Sequence, residues 1–312
     1  MLPPMQQGAA PPRLAAQTIA LRDDRLLFET RVLAVVVIPV LLTASTVLLL
    51  FPDDTKDLFA WQIKAHMSSF ALAVPYAAGV YYFARLLVDG RWHRVRAGLL
   101  PVGAFVTVEA IATVLHWGRF THDNPAFWIW ASLYLTTPVV VPLVWWRNRA
   151  TDPGAPEADD VVFPHAVRIG FLVAGLGQLV IALFLVLFPN AAIDIWPWPL
   201  TPLTARSTAG WFAFGLVGIM LVRETRWSAA RVIVQALLLG LAIALVSVVR
   251  AWDEFDTSRV TTWVFLATLA AALVLMILLY AVMERRRRET RRGSWRLRLS
   301  SQRERRSSTD QV

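Results

Sequence analysis

Few residues in this sequence could do chemistry, and the first of them is a carboxylate in apolar surroundings. Glu109 stands in the run Val106, Thr107, Val108, Glu109, Ala110, Ile111, Ala112. An ionisable side chain inside a hydrocarbon layer is expensive, and where one occurs it marks an ion path, a proton relay or a polar contact between helices. His116 follows seven residues later, two turns along the same face of a helix. Gln178 lies in an equally apolar stretch. Glu109, His116 and Gln178 therefore form a candidate intramembrane site for proton or cation coupling. The structural alternative is a protonated Glu109 bonded to a neighbouring helix through Gln178 or Thr136.

A second group lies in two polar stretches. Asp57, Trp61, Lys64 and His66 occupy one, and Asp194, Trp196, Pro197, Trp198, Pro199, Thr201, Pro202, Thr204 and Arg206 the other. Asp57, Trp61, Asp194, Trp196, Trp198, Thr201, Thr204 and Arg206 are the candidate site here. Tryptophans could stack on a ligand while Arg206 or Lys64 pairs with an anionic group. Against this, Trp is common where membrane meets water, and an Asp in such a loop can cap a short helix.

Other chemistries find no support. The chain has no cysteine, so it offers no disulfide, thiolate ligand or cysteine nucleophile. His66, His93, His116, His122 and His165 lack the spacing of metal ligands on one helix, and no phosphate-binding or dinucleotide-binding glycine pattern occurs. Neither a cofactor nor a metal is expected, and the reading is non-enzymatic.

The elements that must position these residues are membrane spans. Hydrophobic residues make up 56% of the 312, mean hydropathy is +0.51, and 17% are charged against about 25% in soluble domains. The apolar residues come in blocks of about twenty, enough to cross a hydrocarbon core of about 30 Å. Spans are predicted at 32–51, 67–88, 97–117, 127–146, 169–188, 208–222, 232–249 and 262–283, the sixth being the shortest. Pro75, Pro101, Pro138 and Pro142 fall inside spans, as kinks or broken helices would place them. The expected fold is an all-α integral membrane protein of about eight transmembrane helices. Its parts are an N-terminal tail (1–31), a four-helix unit (32–146), a linker (147–168), a second four-helix unit (169–283) and a basic tail (284–312).

Basic residues set the orientation. The two tails and every second connection carry 25 of the 31 Lys and Arg, the other connections 6. By the positive-inside rule both termini lie in the cytoplasm of a multi-pass cell-membrane protein. No signal-peptide core precedes the first span, which is expected to act as an uncleaved anchor. The net charge of +9 is accounted for by this asymmetry, without nucleic acid. The polybasic tail, Arg285 to Arg288 onward, suits anionic lipid headgroups, or serves only to fix topology.

The two four-helix units resemble each other. Phe51, Pro52, Asp57 and Trp61 recur in spacing as Phe188, Pro189, Asp194 and Trp198, 137 residues on. Arg91, Trp92, Arg96, Trp117, Phe120 and Trp128 recur as Arg226, Trp227, Arg231, Trp252, Phe255 and Trp263, 135 residues on. This predicts duplication and fusion. With an even number of helices per unit, the repeats are parallel, related by an axis along the membrane normal, and the natural arrangement is two four-helix bundles side by side. Glu109 corresponds to Ala244, so any role it has is not duplicated.

The segment Trp196, Pro197, Trp198, Pro199, Leu200, Thr201, Pro202, Leu203, Thr204, Ala205, Arg206 resembles a loop in a group of multi-pass membrane proteins from high-GC bacteria. Phe59 to Ser69 is its weaker counterpart. The group brings no activity with it, so the resemblance implies the membrane class alone. The functional expectation is transport or permeation of a small or amphipathic solute across the interface between the repeats. An accessory subunit of a larger membrane complex is the alternative, a membrane enzyme acting on lipid-linked substrates the second. A homo-oligomer is compatible with all three.

Overall fold

In the computed structural model, residues 22–309 are described, with side chains to residue 293. The first 21 residues of the tail expected at 1–31, and the side chains of 294–312, lie outside that description.

The described residues are helical, with no strand; Arg25 with Arg91 and Val162 with Arg226 form isolated β-bridges. The long helices are α1 (Phe28–Leu50), α2 (His66–Asp89), α3 (Trp92–Leu115), α4 (Pro125–Asn148) and α5 (His165–Leu187). After them come α6 (Pro202–Ala213), α7 (Leu216–Leu221), α8 (Trp227–Arg250) and α9 (Val260–Thr309). Seven helices among the described residues, α1 to α5, α8 and α9, are long and apolar enough to cross a membrane. A helix of 24 residues such as α2 spans about 36 Å. The outward faces carry bare aliphatic side chains, with Val139, Val180 and Val249 exposed by 70%, 67% and 71%. Apolar surface on this scale suits lipid, not water. The chain is an all-α, multi-pass membrane protein.

The sixth span differs from expectation. In place of one helix over 208–222, α6 begins six residues earlier at Pro202 and stops at Ala213, and α7 follows after a turn at Phe214 and Gly215. The early start is set by Thr201 and Thr204. Thr204 N–H donates to Thr201 Oγ1 at 3.2 Å and Thr201 N–H donates to Thr204 Oγ1 at 2.7 Å. These reciprocal bonds satisfy free helix-end donors, and Pro202 at the first position loses nothing by lacking its own. The break is a close approach of backbones. A Cβ on Gly175 of α5 would lie 2.3 Å from Gly215 O, and one on Gly218 of α7 would lie 2.1 Å from Phe171 O.

The first four helices and the rest do not close into two separate bundles. α2 packs on α8 and α3 on α6 more extensively than α2 packs on α3, so the middle of the molecule is built from α2, α3, α6 with α7, and α8. Outside them α1 packs against α2, α4 against α3, α5 against α6 and α7, and α9 against α8. Small buried residues, Ala205, Ala209, Ala236 and Ala244, permit these crossings. α9 also runs past the tail boundary expected at residue 284, as one helix to Thr309.

Candidate functional site

Between the central helices lies a chamber of about 270 Å³, walled by α1, α2, α3, α4, α6, α8 and α9 with a contribution from α5. Its wall is almost wholly apolar, and Phe105, Trp211, Phe214 and Phe265 supply aromatic faces. Phe105 and Phe214 stack with centroids 5.4 Å apart. Tyr76 and Tyr134, fully enclosed on opposite helices, meet within the wall, where Tyr134 Oη donates to Tyr76 Oη at 2.7 Å. Tyr82 Oη donates to Val95 O at 2.6 Å and Thr137 Oγ1 to Leu133 O at 2.6 Å, so both hydroxyls are spent on backbone.

Glu109 is fully buried but does not line this chamber. It faces α6 beside Gly210, where a Cβ would lie 2.9 Å from Glu109 Oε1 and 2.8 Å from the Phe105 ring. Phe105, one turn before it, is part of the chamber wall. The buried Ser207 hydroxyl of α6 is the polar group facing the Glu109 carboxyl, and no other partner reaches either oxygen; Trp61 Nε1 is also buried without a partner. Ser207 and Trp61 border a pocket of about 10 Å³, room for about one water. The expected bonds from Glu109 to Gln178 or Thr136 do not form. Gln178 and Thr136 are exposed on their helices, Gln178 touching only the chamber's edge, and Thr136 Oγ1 donates to Ser132 O of its own turn.

His116 belongs elsewhere as well. It ends α3 and accepts from Arg206 Nη1 at 2.7 Å, while Arg206 Nε donates to Val186 O at 3.1 Å. Burial, then the Arg206 and Arg119 cations, push the His116 pKa below its ordinary value. Two residues assigned to different candidate sites are thus one contact, and Arg206 is committed to it.

The loop tryptophans brace the end of the bundle. Trp61 is buried against Phe59, Phe120 and Trp130, with centroids 5.0, 5.1 and 4.9 Å away. Trp198 packs against Trp196, Phe255 and Phe265 at 5.2, 5.5 and 5.3 Å, its Nε1 donating to Ser68 Oγ at 3.1 Å. Thr201 and Thr204 are occupied in capping α6. Asp57 and Asp194 are exposed, and neither carboxylate caps a helix. That task falls to Thr201, and to Asn124, whose Oδ1 accepts from Ala126 N–H at 2.9 Å at the start of α4.

What sequence reasoning missed is at the other, basic end. Arg226, with 6% of its side chain exposed, grips Asp152 through two bonds of 3.0 and 3.1 Å and Glu224 through Nε at 2.9 Å. Arg96 adds Nη1 to Asp152 at 3.1 Å and also pairs with Glu224. His93 pairs with Asp24 and lies 3.0 Å from Glu157 Oε1, which takes a 2.6 Å bond from Arg94 Nε. Burial alone would raise the pKa of Asp152, Glu157 and Glu224. Hydrogen bonds from Arg226, from His93 and Arg94, and from Arg226 and Arg96 instead hold all three below the usual carboxylate range. The same contacts, outweighing burial, push Arg226 further up. The cluster clasps the connection between α4 and α5 onto α3 and α8. The only sequence signal was the pairing of Arg91 and Arg96 with Arg226 and Arg231, which names the cations but not their partners.

No group of side chains suited to holding a metal ion occurs among the described residues. No protein-family model, curated protein or solved structure matches the chain.

Proposed function

We propose that the chain takes a small, largely apolar or amphipathic solute into the chamber between its central helices, as the first step of transport or permeation. The observation that carries this reading is the chamber itself, about 270 Å³ of apolar, aromatic-walled space where a membrane protein of this size would otherwise pack. An apolar cavity of about 150 Å³ is enough to take benzene. Glu109 has no part in that wall, so coupling to protons or cations through it is not included.

The reading includes eight crossings, α6 and α7 together making the eighth over residues 202–221, about 30 Å of helix. It also includes descent from two parallel repeats with both termini cytoplasmic in the cell membrane. Support comes from matching boundaries: α1 and α5 start and end 137 residues apart, and α3 and α8 start 135 apart. Matching bonds add to it. Trp92 N–H donates to Asp24 O where Trp227 N–H donates to Val161 O, and Trp128 Nε1 donates to His122 O where Trp263 Nε1 donates to Thr257 O. The basic tail is read as lying against anionic headgroups.

The test is equilibrium binding of tetralin, a compact two-ring hydrocarbon, to the purified chain in nanodiscs against empty nanodiscs. Saturable binding is expected, weakened at least about tenfold by Ala236→Phe, which fills the chamber from α8. Uptake equal to that of empty nanodiscs would overturn the reading. In that case the sealed position of Glu109 between α3 and α6 would favour an accessory subunit with no solute-accessible cavity.

A further inference from the structure

Among the buried hydroxyls of the chamber's wall, one hydrogen is left unspent, and its position says what else a solute must carry. Four buried hydroxyls belong to the wall: Tyr76, Tyr82, Tyr134 and Thr137. Tyr82 and Thr137 give their hydrogens to backbone carbonyls, and Tyr134 gives its hydrogen to Tyr76. The Tyr76 hydrogen remains. Among the described residues it is donated to no acceptor, although Tyr76 is only 2% exposed. A buried hydroxyl hydrogen left without a partner is costly, and native structures rarely tolerate one. Of the chamber's other polar side chains, Gln178 and Thr268 are exposed on α5 and α9 and belong to its rim, and the Trp211 indole on α6 is half-buried.

We infer that the Tyr76 and Tyr134 pair is the chamber's polar recognition point, donating one hydrogen bond to a carbonyl-type oxygen on an otherwise apolar ligand of about two rings. The size follows from the cavity, not quite twice the space that takes benzene. Flat rings suit the stacked Phe105 and Phe214. Phe105 also stands 6.0 Å from the Tyr76 ring and 6.2 Å from Tyr134, both edge-on, so a ring lying along it has its substituent beside the hydroxyl pair. Because Tyr134 hands its hydrogen to Tyr76, the two act as one donor. If either hydroxyl is lost, the other can still turn its hydrogen to the ligand, so only the loss of both removes the site.

This inference rests on the chamber reading above, and the experiment separates the two. Tetralone and tetralin share one two-ring frame and differ by a single carbonyl oxygen. Binding of each to the full chain in nanodiscs is measured for wild type, for Tyr76→Phe and Tyr134→Phe singly, and for the double variant. Wild type is expected to prefer tetralone by about threefold to tenfold, the worth of one net hydrogen bond. Each single variant should keep a preference, and the double variant should lose it while binding tetralin at least as well as wild type. Retained tetralin binding shows in the same sample that the double variant is folded and its chamber intact. A wild type that binds both probes equally, or a double variant that still prefers tetralone, would overturn the inference and leave the chamber standing. Failure of wild type to bind either probe would overturn both.

Discussion

Arg226 is the residue at which a single substitution should cost most. Its guanidinium reaches Asp152 and Glu224 at once, and those carboxylates keep 9% and 4% of their side-chain exposure. Removing one member of a buried ion pair leaves the other charge without compensation, at about 3–5 kcal/mol. Arg226→Met should therefore lower thermal stability of the detergent-purified protein by an amount in that range, reduced to the extent that Arg96 takes over both acids. Arg226→Lys should recover part of it, since an ammonium keeps the charge but not the two-pronged grip on Asp152. Unfolding followed by tryptophan fluorescence measures both, and equal stability of Met and wild type would contradict the clasp. Single residues were the least legible level of the sequence. Glu109 stood out because a carboxylate among aliphatics is conspicuous. Asp152, Glu157 and Glu224 did not, because acids in polar connections look the same whether solvated or gripped. The loop residues misled for a related reason: Thr201 and Thr204 have ligand-like side chains, and only the local geometry shows them spent on capping.

Helices were far more legible, and the exception is instructive. Seven spans fall within a few residues of the expected boundaries at most ends, because runs of apolar residues ending in Pro, Gly or charge leave little choice. The stretch from Pro202 to Leu221 breaks that rule, since what matters there is how closely two backbones approach, which hydropathy does not record. Gly218 and Gly175 are the contacts that decide it. At Gly218 an added methyl would meet the Phe171 carbonyl at 2.1 Å, and backbone cannot step aside as a flexible side chain can. Gly218→Ala should force α5 and α7 apart and destabilise the protein by about 1–3 kcal/mol, as overpacking does. Gly177→Ala, two residues from Gly175 on the same helix, meets nothing within 4 Å and should stabilise by up to about 1 kcal/mol through helix propensity alone. Opposite signs for two Gly-to-Ala changes in thermal unfolding would establish the close packing, whereas equal effects would refute it. The glycines could be read from the sequence. Which glycine touched a neighbour could not.

For the molecule as a whole, the distribution of charge and the count of crossings must agree, and this gives the sharpest available check. With 25 basic residues in the two tails and every second connection and 6 in the other connections, insertion should leave the basic end in the cytoplasm. Seven helices qualify as crossings by length and composition alone, and an odd number would put the two termini on opposite sides. The broken segment of α6 and α7 resolves the conflict if it counts as the eighth. Its backbone is held by neighbours where the helix gives way, the condition under which a broken helix survives at membrane depth. The absence of cysteine makes the test clean, since each introduced thiol is unique. Asp57→Cys and Asp194→Cys, both at exposed positions of the loop end, should react with a membrane-impermeant maleimide on intact cells. Ala155→Cys and Gly293→Cys, exposed at the basic end, should react only after lysis. Labelling of Gly293→Cys from outside while Ala155→Cys stays protected would mean an odd number of crossings. The parallel repeat would then fail, because two units in the same orientation each need an even number of helices, and the correspondence between α3 and α8 would need another origin.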